Sequence, residues 1–153
     1  MVESASVSAS NTIRVRDIMQ TGVVTVSAGD TLSTVEDIMT LGGVRHMPVV
    51  RAGALVGVVS ERDLLRASLS NLSNLTGFGR EERRAFLQVV EITRVMSAPP
   101  IVISPEAEIE DAARLLAEKR IGCLPVIEEG KLVGLVTETD VLRCIAGSWS
   151  GSF

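Results

Sequence analysis

The heptapeptide Gly57-Val58-Val59-Ser60-Glu61-Arg62-Asp63 returns further along the chain as Gly134-Leu135-Val136-Thr137-Glu138-Thr139-Asp140. Outward from it the likeness continues: residues 14–66 overlay on 91–143 without a gap when shifted by 77 positions. Met19 then meets Met96, Ser27 meets Ser104, Pro48 meets Pro125, Gly53 meets Gly130 and Arg66 meets Arg143. The chain is one supersecondary unit written twice. A single copy of about 50 residues is marginal alone, so the two copies are expected to pack face to face.

Each copy reads as β-α-β-β-α, an α/β (α+β) arrangement. Val23-Val24-Thr25-Val26, matched by Ile101-Val102-Ile103, is a short β-branched run bounded by turn residues and predicts the first strand. Leu32, Val35, Ile38 and Met39, matched by Ile109, Ala112, Leu115 and Leu116, recur at helical spacing and predict one apolar helix face. Two hairpins follow. Met47–Val50 and Leu55–Val59 flank Ala52-Gly53, and Leu124–Ile127 and Leu132–Val136 flank Glu129-Gly130. Ser60 and Thr137 stand where a helix N-cap belongs, with Glu61 and Glu138 in the first turn, where a carboxylate suits the helix dipole.

The expected organisation is a flexible N-terminal tail (1–12), a first repeat (13–67), a connection containing a helix (68–91), a second repeat (92–146) and a flexible C-terminal tail (147–153). Ser68 to Gly79 is rich in Ser, Asn and Gly, whereas Arg80 to Glu91 reads as helical, with Phe86, Leu87, Val89 and Val90 available for packing.

Composition narrows the function. The 153 residues carry 15 basic and 19 acidic side chains, a net charge of −4, without a basic cluster long enough to track a phosphate backbone. Three Phe, one Trp and no Tyr offer no base-stacking platform, so nucleic acid is not an expected partner. Gly and charged residues interrupt every apolar stretch short of a membrane span, and the Ser-rich start lacks the basic and apolar regions of a signal peptide. A cytoplasmic protein without a membrane segment is the expectation. Cys123 and Cys144 read as two buried thiols rather than a disulfide framework.

The repeated Gly-apolar-x-Ser/Thr-x-x-Asp heptapeptide resembles the signature of cystathionine beta-synthase (CBS) repeats. The Met19 and Met96 openings and the His46-Met-Pro-Val and Cys123-Leu-Pro-Val strands support the resemblance, which spans about residues 13–146. A tandem pair of this kind is a Bateman module, and the resemblance implies two repeats packed with pseudo-two-fold symmetry. It also implies an adenosine ligand, such as AMP, ADP, ATP or S-adenosylmethionine, in clefts that combine the Asp of one repeat with strand residues of the other. A carboxylate that accepts from both ribose hydroxyls explains the motif Asp, and hydroxyls at helix N-termini suit phosphate or ribose oxygens.

Under that resemblance the primary cleft uses Thr137 and Asp140 with Val23, Val24 and Pro48, and finds Arg45, His46 and Arg62 near the phosphate. The secondary cleft uses Ser60 and Asp63 with Pro100, Ile101, Gly122, Cys123, Pro125 and Thr139, and has no cation at the matching positions. An unpaired buried phosphate is costly, so the Asp140 cleft is expected to be the better nucleotide site, and the Asp63 cleft weaker, empty or suited to a less charged adenosine. Each of these residues also has a plain structural role open to it: caps for Ser60 and Thr137, dipole-stabilising acids for Asp63 and Asp140, an ordinary strand ring for His46.

No nucleophile-base pair, metal-ligand spacing or phosphate-cradling glycine loop is recognisable in the sequence, so neither catalysis nor a catalytic cofactor is expected. Two functions compete. One is a regulatory, energy-sensing module that binds an adenosine nucleotide and passes its state to an effector protein. The other is a constitutive dimerisation scaffold with vestigial clefts. Related modules commonly pair through helices, and Leu64, Leu65, Val141, Leu142 and Ile145 could serve a homodimer or the chain's own core.

Overall fold

The computed structural model describes residues 12–72 and 79–147, so both expected tails and the middle of the Ser68–Gly79 stretch lie largely outside the described residues. The described elements are α1 (Val15–Ile18), β1 (Val26–Ser27), α2 (Leu32–Gly42), β2 (His46–Arg51), β3 (Ala54–Ser60), α3 (Glu61–Leu72), α4 (Arg80–Val89), a 3-10 turn (Ile92–Arg94), α5 (Ile109–Lys119), β4 (Cys123–Glu128), β5 (Lys131–Thr137) and α6 (Glu138–Ile145). They form two compact units. One is contiguous, residues 23–101; the other joins residues 1–22 to 102–153.

In the contiguous unit the sheet order is β1-β2-β3, with β1 parallel to β2 and β2 antiparallel to β3. Leu32, Val35, Met47, Val49, Val59 and Ile92 are wholly buried in its core. Each such side chain contributes about 1.5–3 kcal/mol on leaving water. Helix α4 packs on α2 through Leu87 and a two-pronged Arg83–Glu36 ion pair. The hydrogen bond to Glu36 holds the Arg83 guanidinium above its ordinary pKa. Val89 does not pack: it is 75% exposed, because Leu87 takes the inward position on that turn.

The discontinuous unit is built on the β4-β5 hairpin, with α5 and α6 packed on its strands and α1 against β5 and α6. Both hairpins close through two-residue turns whose central residues all have positive φ: Ala52 (51°) and Gly53 (81°), Glu129 (51°) and Gly130 (78°). This is the twist that suits tight antiparallel connections. Helix α2 ends on Gly43 in the left-handed region, and the matching position at the end of α5 holds Arg120 in the same conformation.

Three elements differ from expectation. The first strand is shorter than the β-branched runs: only Val26 and Ser27 meet β2, and in the second copy Ile103 alone makes a parallel bridge to Val126. Branched side chains favour extended backbone, but a ladder also needs a neighbour, and residues 23–25 have none within β2. Helix α3 runs on to Leu72, past the point where a polar connection was expected, since the Ser68 hydroxyl donates to Leu64 O (3.0 Å) and so stays within the helix. Cys123 is buried but Cys144 only half-buried, and neither forms a disulfide.

The two Met openings are exchanged between copies. Met19 and Gln20, which open the first repeat, lie against β5 of the second: Gln20 N–H donates to Leu135 O (2.8 Å) and Leu135 N–H to Gln20 O (3.0 Å). Met96 and Ser97 lie likewise against β3, with Ser97 N–H to Val58 O (2.8 Å) and Val58 N–H to Ser97 O (3.1 Å). Each motif glycine makes room for this strap. A Cβ on Gly57 would stand 2.6 Å from Met96 Sδ and 2.8 Å from Ser97 O, and one on Gly134 2.6 Å from Met19 Sδ and 2.9 Å from Gln20 O.

Candidate functional site

The repeated Asp begins as a helix cap. Strand β3 ends on Ser60 and α3 starts at Glu61, leaving unpaired N–H groups at the helix start. Ser60 N–H and Oγ–H both donate to Asp63 Oδ2 (2.8 and 2.9 Å), and Asp63 N–H donates back to Ser60 Oγ (3.2 Å). The second copy repeats this with the same distances: Thr137 N–H and Oγ–H donate to Asp140 Oδ2 (2.8 and 2.9 Å), and Asp140 N–H to Thr137 Oγ (3.2 Å). This reciprocal capping fixes each carboxylate through a single oxygen, Oδ2, and leaves Oδ1 outside the cap.

The copies diverge at Oδ1. Gln20 Nε2 donates to both oxygens of Asp140, at 3.2 Å to Oδ1 and 3.1 Å to Oδ2. The residue matching Gln20 is Ser97, and among the described residues no donor reaches Asp63 Oδ1. The sequence reading missed Gln20. The only available signal was its place after the repeated Met, and nothing there indicates that it meets a carboxylate 120 residues away.

Within each unit the remaining candidates gather at the end of the hairpin that leads into the capped helix. His46 pairs across the sheet with Ser60, and Cys123 with Thr137. Arg45 O accepts from Glu61 N–H (2.9 Å), and Gly122 O from Glu138 N–H (3.0 Å). Arg45, Arg62 and Thr139 are exposed, His46 and Gly122 partly so. In its own unit the cationic group therefore stands beside Ser60 and Asp63, while Gly122, Cys123 and Thr139 stand beside Thr137 and Asp140. Pro48 and Pro125 are buried within their strands, Val24 is exposed, and Val23, Pro100 and Ile101 are half-buried. Val23, Val24, Pro48, Pro100 and Ile101 belong to the contiguous unit, Pro125 to the other.

Among the described residues no group of three His, Cys, Asp or Glu is placed to hold a metal ion, and no helix is long and apolar enough to cross a membrane. The family model described as CBS domain matches twice, over residues 15–70 and 90–147. The chain belongs to the CBS-domain family. It is a tandem CBS pair, as the repeated heptapeptide implied, and its two copies carry the mixed α/β fold of that family.

A CBS domain-containing protein of Bacillus subtilis (strain 168), YhcV, is 31% identical over 127 residues, covering 83% of this chain and 81% of that protein. The CBS domain of a CBS domain-containing membrane protein from Sphaerobacter thermophilus is 30% identical with a TM-score of 0.71, covering 86% of this CBS pair and 87% of that chain. CBSX2, solved in complex with AMP, is 27% identical with a TM-score of 0.70, covering 88% of this chain and 97% of its own.

Proposed function

We propose that this CBS pair is a regulatory module that binds an adenosine nucleotide and passes its ligand state to an effector protein, without catalysing a reaction or using a catalytic cofactor. The observation that carries this reading is the identically built carboxylate at both heptapeptides, held through Oδ2 while Oδ1 stays outside the cap. A cap needs one oxygen. The second can accept from a ribose diol, a charge-assisted pairing stronger than a neutral one. The AMP complex of CBSX2, a relative of similar size and fold, supports the ligand class.

Thr137 and Asp140 are assigned to the ribose of the preferred site, Val23 and Val24 to adenine, and Arg45, His46 and Arg62 to phosphate. Ser60 and Asp63 are assigned to a second, weaker site; Arg45, His46 and Arg62, which stand beside them in the same unit, are assigned instead to the phosphate of the first. Exposed apolar residues on the last helix of each repeat, Leu65 (57%), Leu142 (64%) and Ile145 (71%), fit a homodimer, whereas Leu64 and Val141 are core. The proposed setting is the cytoplasm.

Thermal unfolding with AMP, ADP, ATP and S-adenosylmethionine tests the proposal. A ligand at 100 times its Kd adds about 2.7 kcal/mol of stability, and Asp140→Ala is expected to remove most of that gain. No shift with any of the four would favour the constitutive scaffold. Affinity that survives Asp140→Ala but falls with Asp63→Ala would reverse the ranking of the sites.

A further inference from the structure

We propose that Gln20 is a latch on Asp140: its carboxamide occupies the carboxylate edge that a ribose diol needs, so that ligand must displace it, and Gln20 rather than the motif sets the affinity of that site. This rests on the reading of Asp140 as a ribose clamp and deepens it. The geometry is specific to one copy. Gln20 is fixed at the backbone by its paired hydrogen bonds with Leu135, at 2.8 and 3.0 Å, and its side chain then reaches both Asp140 oxygens. Ser97 is fixed in the same way to Val58, at 2.8 and 3.1 Å, but its hydroxymethyl is too short to repeat the contact with Asp63.

The contact suits a latch in two respects. One Nε2 is shared between two oxygens at 3.1 and 3.2 Å, longer than the 2.8 and 2.9 Å bonds of the cap, so the carboxamide is the weaker-held partner. Gln20 is also exposed, so its released amide can be solvated at once. Displacement then opens Oδ1 while Thr137 keeps Oδ2 and the helix start intact. Among the described residues, the copy that holds Arg45, His46 and Arg62 has no donor on its carboxylate Oδ1, and the copy without them has the covered one. Charge and ribose recognition are thus graded separately along the chain.

Calorimetric titration with AMP tests this in backgrounds that leave one site. With Asp63→Ala in place, Gln20→Ser and Gln20→Met, the second keeping chain length without a donor, are each expected to bind AMP about fivefold tighter, equivalent to the ~1 kcal/mol of one net hydrogen bond. With Asp140→Ala in place, Ser97→Gln is expected to weaken AMP at the remaining site. Urea midpoints of all variants check that the fold persists. Affinity that is unchanged or lower in both Gln20 variants, while AMP still binds and still depends on Asp140, overturns the latch and leaves the ligand assignment standing. AMP binding to neither the unmodified chain nor any variant overturns the assignment and the latch with it.

Discussion

Substituting Gly57 by Ala tests the strap directly. The added methyl would stand 2.6 Å from Met96 Sδ and 2.8 Å from Ser97 O, where ordinary contacts are 3.4–4 Å. The thioether can turn aside, but the carbonyl cannot, because Ser97 is tied to Val58 by reciprocal hydrogen bonds of 2.8 and 3.1 Å. Relief therefore means lifting the strap from β3. Overpacking costs about 1–3 kcal/mol and each of the two net hydrogen bonds about 1, so the expected loss is about 3–5 kcal/mol, a large part of the ~5–15 kcal/mol that holds a domain folded. Urea unfolding followed by far-ultraviolet circular dichroism measures it. Gly29→Ala is the control: a Cβ there meets nothing within 4 Å, and its effect should stay within about 0.5 kcal/mol. Adding Met96→Ala to Gly57→Ala should recover only part of the loss, since the Ser97 carbonyl remains. A Gly57→Ala protein within about 0.5 kcal/mol of the parent, or full rescue by the Met96 change, would refute the steric argument.

Three further outcomes follow from local geometry. Arg120 occupies the left-handed position that Gly43 fills in the other copy, so Arg120→Gly is expected to raise stability by about 0.5–1 kcal/mol, read as a higher urea midpoint. Thr137→Ala removes the hydroxyl of the α6 cap and should cost about 1 kcal/mol, while Thr137→Ser should cost much less. Leu142→Glu places a charge on an exposed apolar position, and light scattering after gel filtration should report loss of the proposed homodimer with little change in unfolding midpoint.

Much of the fold was legible because its signals are local. Ala52-Gly53 and Glu129-Gly130 announce tight turns, Ser60 and Thr137 announce caps, and the spacing of Leu32, Val35 and Met39 gives the buried face of α2. What was not legible depends on distant partners. The β-branched run at 23–26 reads as a strand wherever it stands, but its length depends on how much of β2 it meets. The exchange of the Met openings is invisible for a sharper reason: Met19 and Met96 are alike, as are Gly57 and Gly134, so a repeated sequence does not say which opening serves which copy. Gln20 carried no motif, and its meeting with Asp140 follows only from that exchange.

The exchanged straps also set an order of assembly as the chain leaves the ribosome. Residues 23–101 are contiguous, so every part of that unit, the Ser97 strap included, has been synthesised before the second hairpin exists. The other unit needs Gln20 to meet Leu135, made 115 residues later. Domains fold as units during synthesis, and distant pairings close last. The Met19-Gln20 opening therefore waits, and the carboxylate it reaches becomes available only once the second hairpin and the start of α6 have been made.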